Sequence, residues 1–277
     1  MRLISKLEQD SRLDGVVSAG QRVARLIPRG KLRDILHGCW LGHPLHPVLI
    51  QAPVGAWLGA SILDLTGADE RAARRLVAAG LVAAAPAALA GTADWPEQHE
   101  QQMRVGVVHV AANIVAVSLY GASLLSRNTG AARVLRTAGL AATTASGLLG
   151  GHISFRLAGG VNHAEEVPHL TKSGWQHLMP AADLPEGPLV RRMLGEVPVV
   201  AVRTNGVVHV LAGRCSHMSG PLADGELSDG CLTCPWHGSV FRVSDGSVVH
   251  GPATAPQPAF ETREEAGEIL VCLPGAG

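Results

Sequence analysis

The stretch that decides the fold of the C-terminal region is Cys215-Ser-His217, followed after sixteen residues by Cys234-Pro-Trp-His237-Gly238. Two cysteines and two histidines can bind zinc, but zinc sites usually place two or more residues between paired ligands. Here one residue separates the first pair, and each of two segments supplies one cysteine and one histidine. This arrangement favours a two-iron cluster, in which two thiolates bind one iron and two imidazoles bind the other. Zinc is the alternative.

Short β-strands are predicted on both sides of this motif. The stretch VPVVAVRTNGVVHVLAG (197–213) predicts two strands around Asn205-Gly206, a dipeptide typical of hairpin turns. FRVSDGSVVHG (241–251) repeats the pattern around Asp245-Gly246, and EILVCLP (268–274) predicts a closing strand. We therefore expect an all-β domain over residues 186–277.

From about Gly187 to Pro274, these features resemble the Rieske ferredoxin family. The resemblance implies that the all-β domain carries a [2Fe–2S] cluster. It also implies that Gly251-Pro252 belongs to a proline loop that covers the cluster. The cluster ligands that it implies are Cys215, His217, Cys234 and His237.

This chain departs from the high-potential respiratory members of that family. Those members have an additional cysteine in each cluster loop, and the two form a disulfide, but the corresponding residues here are Gly220 and Trp236. Ser239 keeps a hydroxyl that donates to a cluster sulfur in those members, whereas Phe241 replaces their tyrosine. Losing a hydrogen bond to sulfur destabilises the reduced cluster. We expect a potential in the lower half of the roughly −150 to +300 mV Rieske range.

Four apolar stretches precede the β domain. Each has about 18–21 residues, close to the roughly 20 that cross the hydrocarbon core of a bilayer. Charged residues lie almost only in the connections between them. The pattern predicts a four-helix transmembrane bundle, and buried helices of a soluble protein are the alternative. The stretches are residues 47–65, 76–93, 105–125 and 136–156.

Two features of these stretches predict how the helices pack. Gly55 with Gly59 and Gly147 with Gly151 have the spacing of small residues that lets helices approach closely. Asp64 is an acid at the end of the first stretch, and we expect it to cap the helix or to pair with Arg71 or Arg74.

The bundle opens with Gly42-His-Pro-Leu-His-Pro47. Over about residues 38–165 the chain resembles a family of four-helix bacterial membrane domains marked by a GHPxHP signature. The resemblance implies an integral, multi-pass protein of the bacterial cell membrane, but it implies no particular chemistry.

Histidines near the ends of the apolar stretches are candidate site residues, because ionisable groups inside a membrane are costly and often functional. His109 with His152 or His46 could bind a b-type haem, which would exchange electrons with the cluster. The same residues could form a quinone site or another metal site. Helix capping and packing is the third interpretation, since the prolines after His43 and His46 suit a helix start.

The chain therefore divides into a basic N-terminal segment (1–37), the membrane domain (38–165), a linker (166–185) and the Rieske domain (186–277). The N-terminal segment either lies on the membrane surface as amphipathic turns or is a partly ordered tail. It has no apolar core or cleavage site of a secretory signal peptide. This feature and the missing disulfide favour a cytoplasmic Rieske domain, although the charged loops give mixed indications.

The overall composition limits the function. Lys+Arg and Asp+Glu both number 23, which gives no reason to expect nucleic acid as a partner. No nucleophile–base pair, phosphate loop or carboxylate pair predicts a self-contained catalytic site. About 26 residues follow Gly251, too few for the mononuclear iron domain of an oxygenase catalytic subunit.

We therefore expect an oxidoreductase component, namely a membrane-anchored electron-transfer protein. Its partner would be a redox protein or a quinone, or haem within the bundle. The alternatives are a redox-sensing or assembly protein with a regulatory cluster, and the ferredoxin component of an oxygenase system.

Overall fold

A computed structural model describes residues 2–67 and 69–275, without the side chains of Arg2 and Leu3. The chain forms two compact units. The helical unit comprises the residues up to Pro28 and Pro44–Gly159, and the β unit comprises Arg29–His43 and Gly160–Gly277. The predicted N-terminal segment is therefore divided between the two units, because residues 29–37 pack with the β-strands.

The helices follow the predicted apolar stretches closely. A π-helical turn, His152–Arg156, continues the last long helix. The helices in chain order are α1 (Arg2–Glu8), α2 (Asp14–Ala24), α3 (Lys31–His37), α4 (His46–Leu49), α5 (Gln51–Thr66), α6 (Glu70–Asp94), α7 (Glu100–Leu125), α8 (Thr129–Gly151) and α9 (Val167–Leu170).

Within the described residues, three helical segments are long and apolar enough to cross a membrane. They are His46–Thr66, Glu70–Glu97 and Glu100–Leu125. Helix α8 has a sufficient length but contains Arg133, Arg136 and several Gly and Thr residues, which lower its mean hydropathy. A helical N-terminal region with candidate membrane spans is thus confirmed, and the four-helix transmembrane bundle stays a prediction.

Aromatic rings facing glycines fill the core of the helical unit. Trp57 stacks on Tyr120, with ring centroids 4.3 Å apart. A Cβ atom at Gly139 would lie 3.1 Å from the Tyr120 ring, so this glycine makes room for it. A Cβ atom at Gly59 would lie 3.3 Å from Leu76 of α6, whereas Cβ atoms at Gly55 and Gly147 would face open space beyond their own helix. Gly59 therefore lies at a close contact between two helices, and the tightest contacts of the helical unit form opposite aromatic rings.

A buried ion-pair network joins three of the long helices. Arg136 is fully buried. It donates two hydrogen bonds of 2.6 Å to Asp64 and two of 2.9 Å to Glu70. The prediction that Asp64 pairs with Arg71 or Arg74 is wrong, because α8 brings a more distant arginine to the end of α5. Arg74 instead donates to backbone carbonyl groups at the end of α7.

We predict that Arg136→Ala strongly destabilises the helical unit. The variant leaves the two carboxylates with only the more distant guanidinium of Arg133, at 3.6 and 4.0 Å, and breaking a buried ion pair costs about 3–5 kcal/mol. Denaturant unfolding in detergent micelles measures the loss. Arg75→Ala, an exposed position on α6, is the matched control. Equal unfolding midpoints for the two variants would contradict the prediction.

The β unit contains two antiparallel sheets. The six-stranded sheet has the order β1-β10-β9-β4-β3-β2, and the four-stranded sheet has the order β5-β6-β7-β8. The strands are β1 (Gln176–Pro180), β2 (Val190–Leu194), β3 (Val197–Thr204), β4 (Val207–Ala212), β5 (Glu226–Ser228), β6 (Cys231–Thr233), β7 (Val240–Arg242), β8 (Val248–His250), β9 (Ala259–Glu265) and β10 (Glu268–Cys272).

Both predicted hairpins and the closing strand are present. Asn205 and Gly206, between β3 and β4, have φ angles of 52° and 77°, as the expected two-residue turn requires. The predicted linker, however, contains α9 and β1, and β1 pairs with β10 along the sheet edge. The sequence of β1, Gln176–Pro180, has too short an apolar pattern to indicate a strand before its partner is known.

Candidate metal centre

The two segments that carry the candidate ligands form loops of the same shape. Cys215 follows β4, and Cys234 follows β6. The backbone N–H of Cys215 donates to the carbonyl of Gly220, and that of Cys234 donates to the carbonyl of Ser239, both at 2.8 Å. Four residues after each cysteine, a backbone N–H returns to the cysteine carbonyl, at 2.8 and 3.1 Å. Each loop therefore holds its cysteine at the start of a tight turn.

Both cysteine sulfurs are buried, and backbone N–H groups surround them. Cys215 is 1% exposed and Cys234 is 3% exposed. Two N–H groups donate to each sulfur, an arrangement that stabilises thiolates. The donors are the N–H groups of His217 and Met218 for Cys215, and those of Trp236 and His237 for Cys234.

The two sulfurs also hydrogen-bond to each other. This contact raises the pKa of Cys215, with burial as the second cause, and it lowers the pKa of Cys234 to about 6. The second thiolate thus forms less readily than the first, because two negative sulfurs would lie side by side. A cation between them relieves this repulsion, and metal ligation requires both cysteines to be deprotonated.

The candidate histidines lie together and nearer the surface. The rings of His217 and His237 are perpendicular, with centroids 5.1 Å apart, so both imidazoles can reach one iron. Both residues are half-buried. Trp236 is 50% exposed and makes an edge contact with the His237 ring, at a centroid distance of 6.3 Å.

These four side chains form two pairs. Among the residues that the structure describes, no three His, Cys, Asp or Glu side chains surround one point closely enough for a single metal ion. A [2Fe–2S] cluster needs only one pair of ligands at each iron, because its inorganic sulfurs complete the coordination. The contact between the two sulfurs and the contact between the two imidazoles provide this pairing.

Gly220 and Trp236, the positions that the resemblance assigns to a disulfide, are neighbours. A Cβ atom at Gly220 would lie 2.8 Å from the Cys234 sulfur and 3.3 Å from the Trp236 ring. The ring thus covers the side of the glycine where a side chain would project. None of the five cysteines, all within the described residues, is in a disulfide.

The segment after β8 closes over the cysteines. Ala253 is buried in the same apolar cluster as Cys215, Cys234 and Phe241. Its backbone N–H donates to the hydroxyl oxygen of Ser239 at 2.9 Å. The Ser239 hydroxyl still has its own proton to donate, so its hydrogen bond to a cluster sulfur stays a prediction.

Gln257, which the sequence did not indicate as a site residue, connects this segment to the first cluster loop by hydrogen bonds. Gln257 is 1% exposed, and its carbonyl oxygen accepts from the Ser216 N–H at 3.0 Å. Its amide nitrogen donates to the carbonyls of Ala212 and Arg214 at 2.7 and 2.6 Å. A single glutamine far along the chain from the motif has no spacing that could have indicated this role.

The helical unit brings two of the three candidate histidines together. The rings of His46 and His109 have centroids 6.4 Å apart at 80°. Nδ1 of His46 lies 2.8 Å from the Ala87 carbonyl, and Nδ1 of His109 lies 2.9 Å from the Ser146 carbonyl. A carbonyl on Nδ1 leaves the Nε2 lone pair for a ligand, which is the usual arrangement of metal-binding histidines.

Two further contacts limit this interpretation. The amide nitrogen of Asn113 lies 3.1 Å from Nε2 of His109, so this nitrogen already meets a donor. His152, the third candidate, places Nε2 2.8 Å from a carboxylate oxygen of Glu8 on α1. The structure therefore groups His46 with His109 and gives His152 a different partner.

Comparisons with known proteins assign both parts of the chain. Residues 174–261 match the model of the Rieske [2Fe-2S] domain, and residues 42–163 match the model described as "Predicted membrane protein (DUF2231)". "Apoptosis-inducing factor 3" of Homo sapiens is 35% identical over 89 residues, which are 32% of this chain and 15% of that protein. "Ferredoxin CarAc" of Metapseudomonas resinovorans is 29% identical over 98 residues, which are 35% of this chain and 92% of that protein.

A solved structure, "Sphingomonas yanoikuyae B1 ferredoxin", is 22% identical, with a TM-score of 0.35, and the match covers 36% of this chain and all of that chain.

By the matches to the two family models, the protein joins a predicted membrane protein domain (DUF2231), at residues 42–163, to a Rieske [2Fe–2S] domain at residues 174–261.

Proposed function

We propose that the protein is a membrane-anchored electron carrier with the [2Fe–2S] cluster bound by two residues from each loop. Cys215 and Cys234 would hold one iron, and His217 and His237 would hold the other. The observation that carries this proposal is the matched pair of loops, each with a buried sulfur that receives two backbone N–H groups. When bound, the cluster supplies a one-electron oxidation and reduction.

The burial of the ligands supports a direction for electron transfer. The cysteines are almost fully buried, whereas His217 and His237 are half-buried. A partner that docks at this surface therefore comes closest to the histidine side. The exposed Trp236 ring beside His237 provides apolar area for such contact.

The partner that we infer is a redox protein or a quinone. A curated relative is itself named a ferredoxin, and the chain covers 92% of its length, which supports a ferredoxin role. The ferredoxin component of an oxygenase system is one alternative. A redox-sensing or assembly role is a further alternative. We place the Rieske domain on the cytoplasmic side, supported by Gly220 and Trp236 at the positions of the respiratory disulfide.

We predict that Cys234→Ser removes the cluster. The wild-type protein in detergent, reduced with dithionite, should give a Rieske-type EPR signal and contain two irons per cluster. The variant should lose both the signal and the iron. Cys231→Ser, on a half-buried cysteine of β6, is the matched control and should keep both. Zinc in place of iron in the wild-type protein would overturn the proposal.

We predict that the cluster potential is low within the Rieske range and that Phe241→Tyr raises it. A new hydroxyl that donates to a cluster sulfur would raise the potential by about 40 mV, since one hydrogen bond contributes about 1 kcal/mol and 59 mV is tenfold. EPR-monitored redox titration measures the change. Phe260→Tyr, in the other apolar cluster of the β unit, should leave the potential unchanged. A wild-type value near the top of the range would contradict the expectation.

A second candidate function, electron exchange with a b-type haem in the bundle, is favoured by the pairing of His46 with His109. Both Nδ1 atoms lie near backbone carbonyls, and an iron bound at Nε2 of His109 would replace the contact of that nitrogen with the Asn113 amide. A quinone or another metal is the alternative occupant.

We predict that purified protein shows a haem Soret band that shifts on reduction with dithionite and that disappears in His109→Ala. His169→Ala, on an exposed histidine, is the control. Optical spectra of each protein in detergent, recorded before and after reduction, measure the Soret band. A wild-type spectrum without a Soret shift excludes the haem and leaves the iron–sulfur proposal intact.

A further inference from the structure

A short segment that neither family model matches packs against the Rieske domain. The segment, residues 29–41, contains α3 and precedes the membrane domain in the chain, yet it belongs to the β unit. Helix α3 ends at Gly38, whose φ of 85° is left-handed, and the N–H of Gly38 returns to the carbonyl of Asp34. Such a glycine ends a helix sharply. The turn directs the following residues back towards the sheet.

The carboxylate of Asp34 holds two consecutive residues of the Rieske domain. One oxygen accepts a hydrogen bond from the backbone N–H of Gly251 at 2.9 Å. The other lies 2.9 Å from Nδ1 of His250. The Asp34 side chain is only 19% exposed, so solvent competes weakly for these contacts.

The residues after α3 pack directly on the same loop. A Cβ atom at Gly251 would lie 2.9 Å from the Cys39 sulfur and 3.0 Å from the His37 ring. The Cys39 thiol donates to the Ala253 carbonyl at 3.4 Å. His37 is 2% exposed, so its ring is enclosed within the β unit. Only a glycine at position 251 allows this close approach.

The other side of the loop faces the cluster ligands. Ala253 is buried with Cys215 and Cys234, and its N–H donates to the Ser239 hydroxyl. Residues 250–253 therefore lie between two supports, the segment that contains α3 and the second cluster loop. Since the Ser239 contact is a single neutral hydrogen bond, the charged contact from Asp34 is the stronger attachment.

We propose that residues 29–41 act as a clamp on the loop 250–253, and that Asp34 is the positioning residue that keeps this loop closed over the cluster. The clamp limits access of water and small solutes to the buried sulfurs, and it therefore slows loss of the cluster. This inference rests on the proposed cluster site. It assigns a function to a segment outside the Rieske match.

The test compares three variants of the full-length protein in detergent. Asp34→Ala removes both contacts. Asp34→Asn keeps an oxygen that can accept from Gly251 but removes the charge opposite His250. Ile35→Ala, at a 53% exposed position on the same helix, is the matched control. The measurements are the rate of iron release to an iron chelator and hydrogen exchange of the peptide that contains Gly251.

Asp34→Ala should release iron about tenfold faster than the wild type, which corresponds to about 1.4 kcal/mol of loop closure. Exchange at the Gly251 peptide should accelerate, while freshly prepared protein keeps its EPR signal. Asp34→Asn should show a smaller acceleration, and Ile35→Ala should match the wild type. If Asp34→Ala fails to fold, the rates of iron release and hydrogen exchange in Asp34→Asn test the proposal on their own.

Wild-type rates of iron release and exchange in both Asp34 variants would overturn the clamp, as would an equal acceleration in Ile35→Ala. Failure of the cluster proposal is a separate result, because it would appear as a wild-type protein without a Rieske EPR signal. In that event, hydrogen exchange at the Gly251 peptide still tests whether Asp34 holds the loop.

Discussion

Two cysteine sulfurs must lie side by side in an apolar interior, and their negative charge must be compensated there. Uncompensated buried charge is costly. The two cluster loops provide the compensation, because each directs two backbone N–H groups at its sulfur. The surrounding structure supports these loops. Sheets fix their ends, Gln257 fixes the first loop, and Ser239 joins the second loop to the segment after β8.

In the helical unit, direct ion pairs neutralise the buried charges. Arg136 lies fully buried against two carboxylates, and Arg133 lies within 4.0 Å of both, so the positive and negative charges of the group balance. The imidazole of His109 likewise has polar partners at both ring nitrogens. In these examples from both units, polar groups inside apolar surroundings have partners that the fold holds in place.

Features encoded by local spacing could be predicted from the sequence. The paired ligand motif and the Asn205-Gly206 turn are examples, because each depends on residues close together in the chain. Features that depend on distant residues could not be predicted. Neither strand β1 nor the Asp64–Arg136 pair is recognisable until the fold supplies its partner. The same reason explains why residues 29–37, which have no pattern typical of a β domain, were expected to form one segment with the preceding residues.

The division of the β unit has a consequence for biosynthesis. Pro44–Gly159 intervenes between its two parts, so the helical membrane region is an insertion within the cluster-bearing unit. During synthesis, α3 is made before the candidate membrane spans, and the loop that it contacts in the β unit is made after them. The entropic cost of joining such distant parts grows only slowly with the length between them. A Rieske fragment that begins after the bundle would therefore be a different molecule from the intact protein, because it would lack α3.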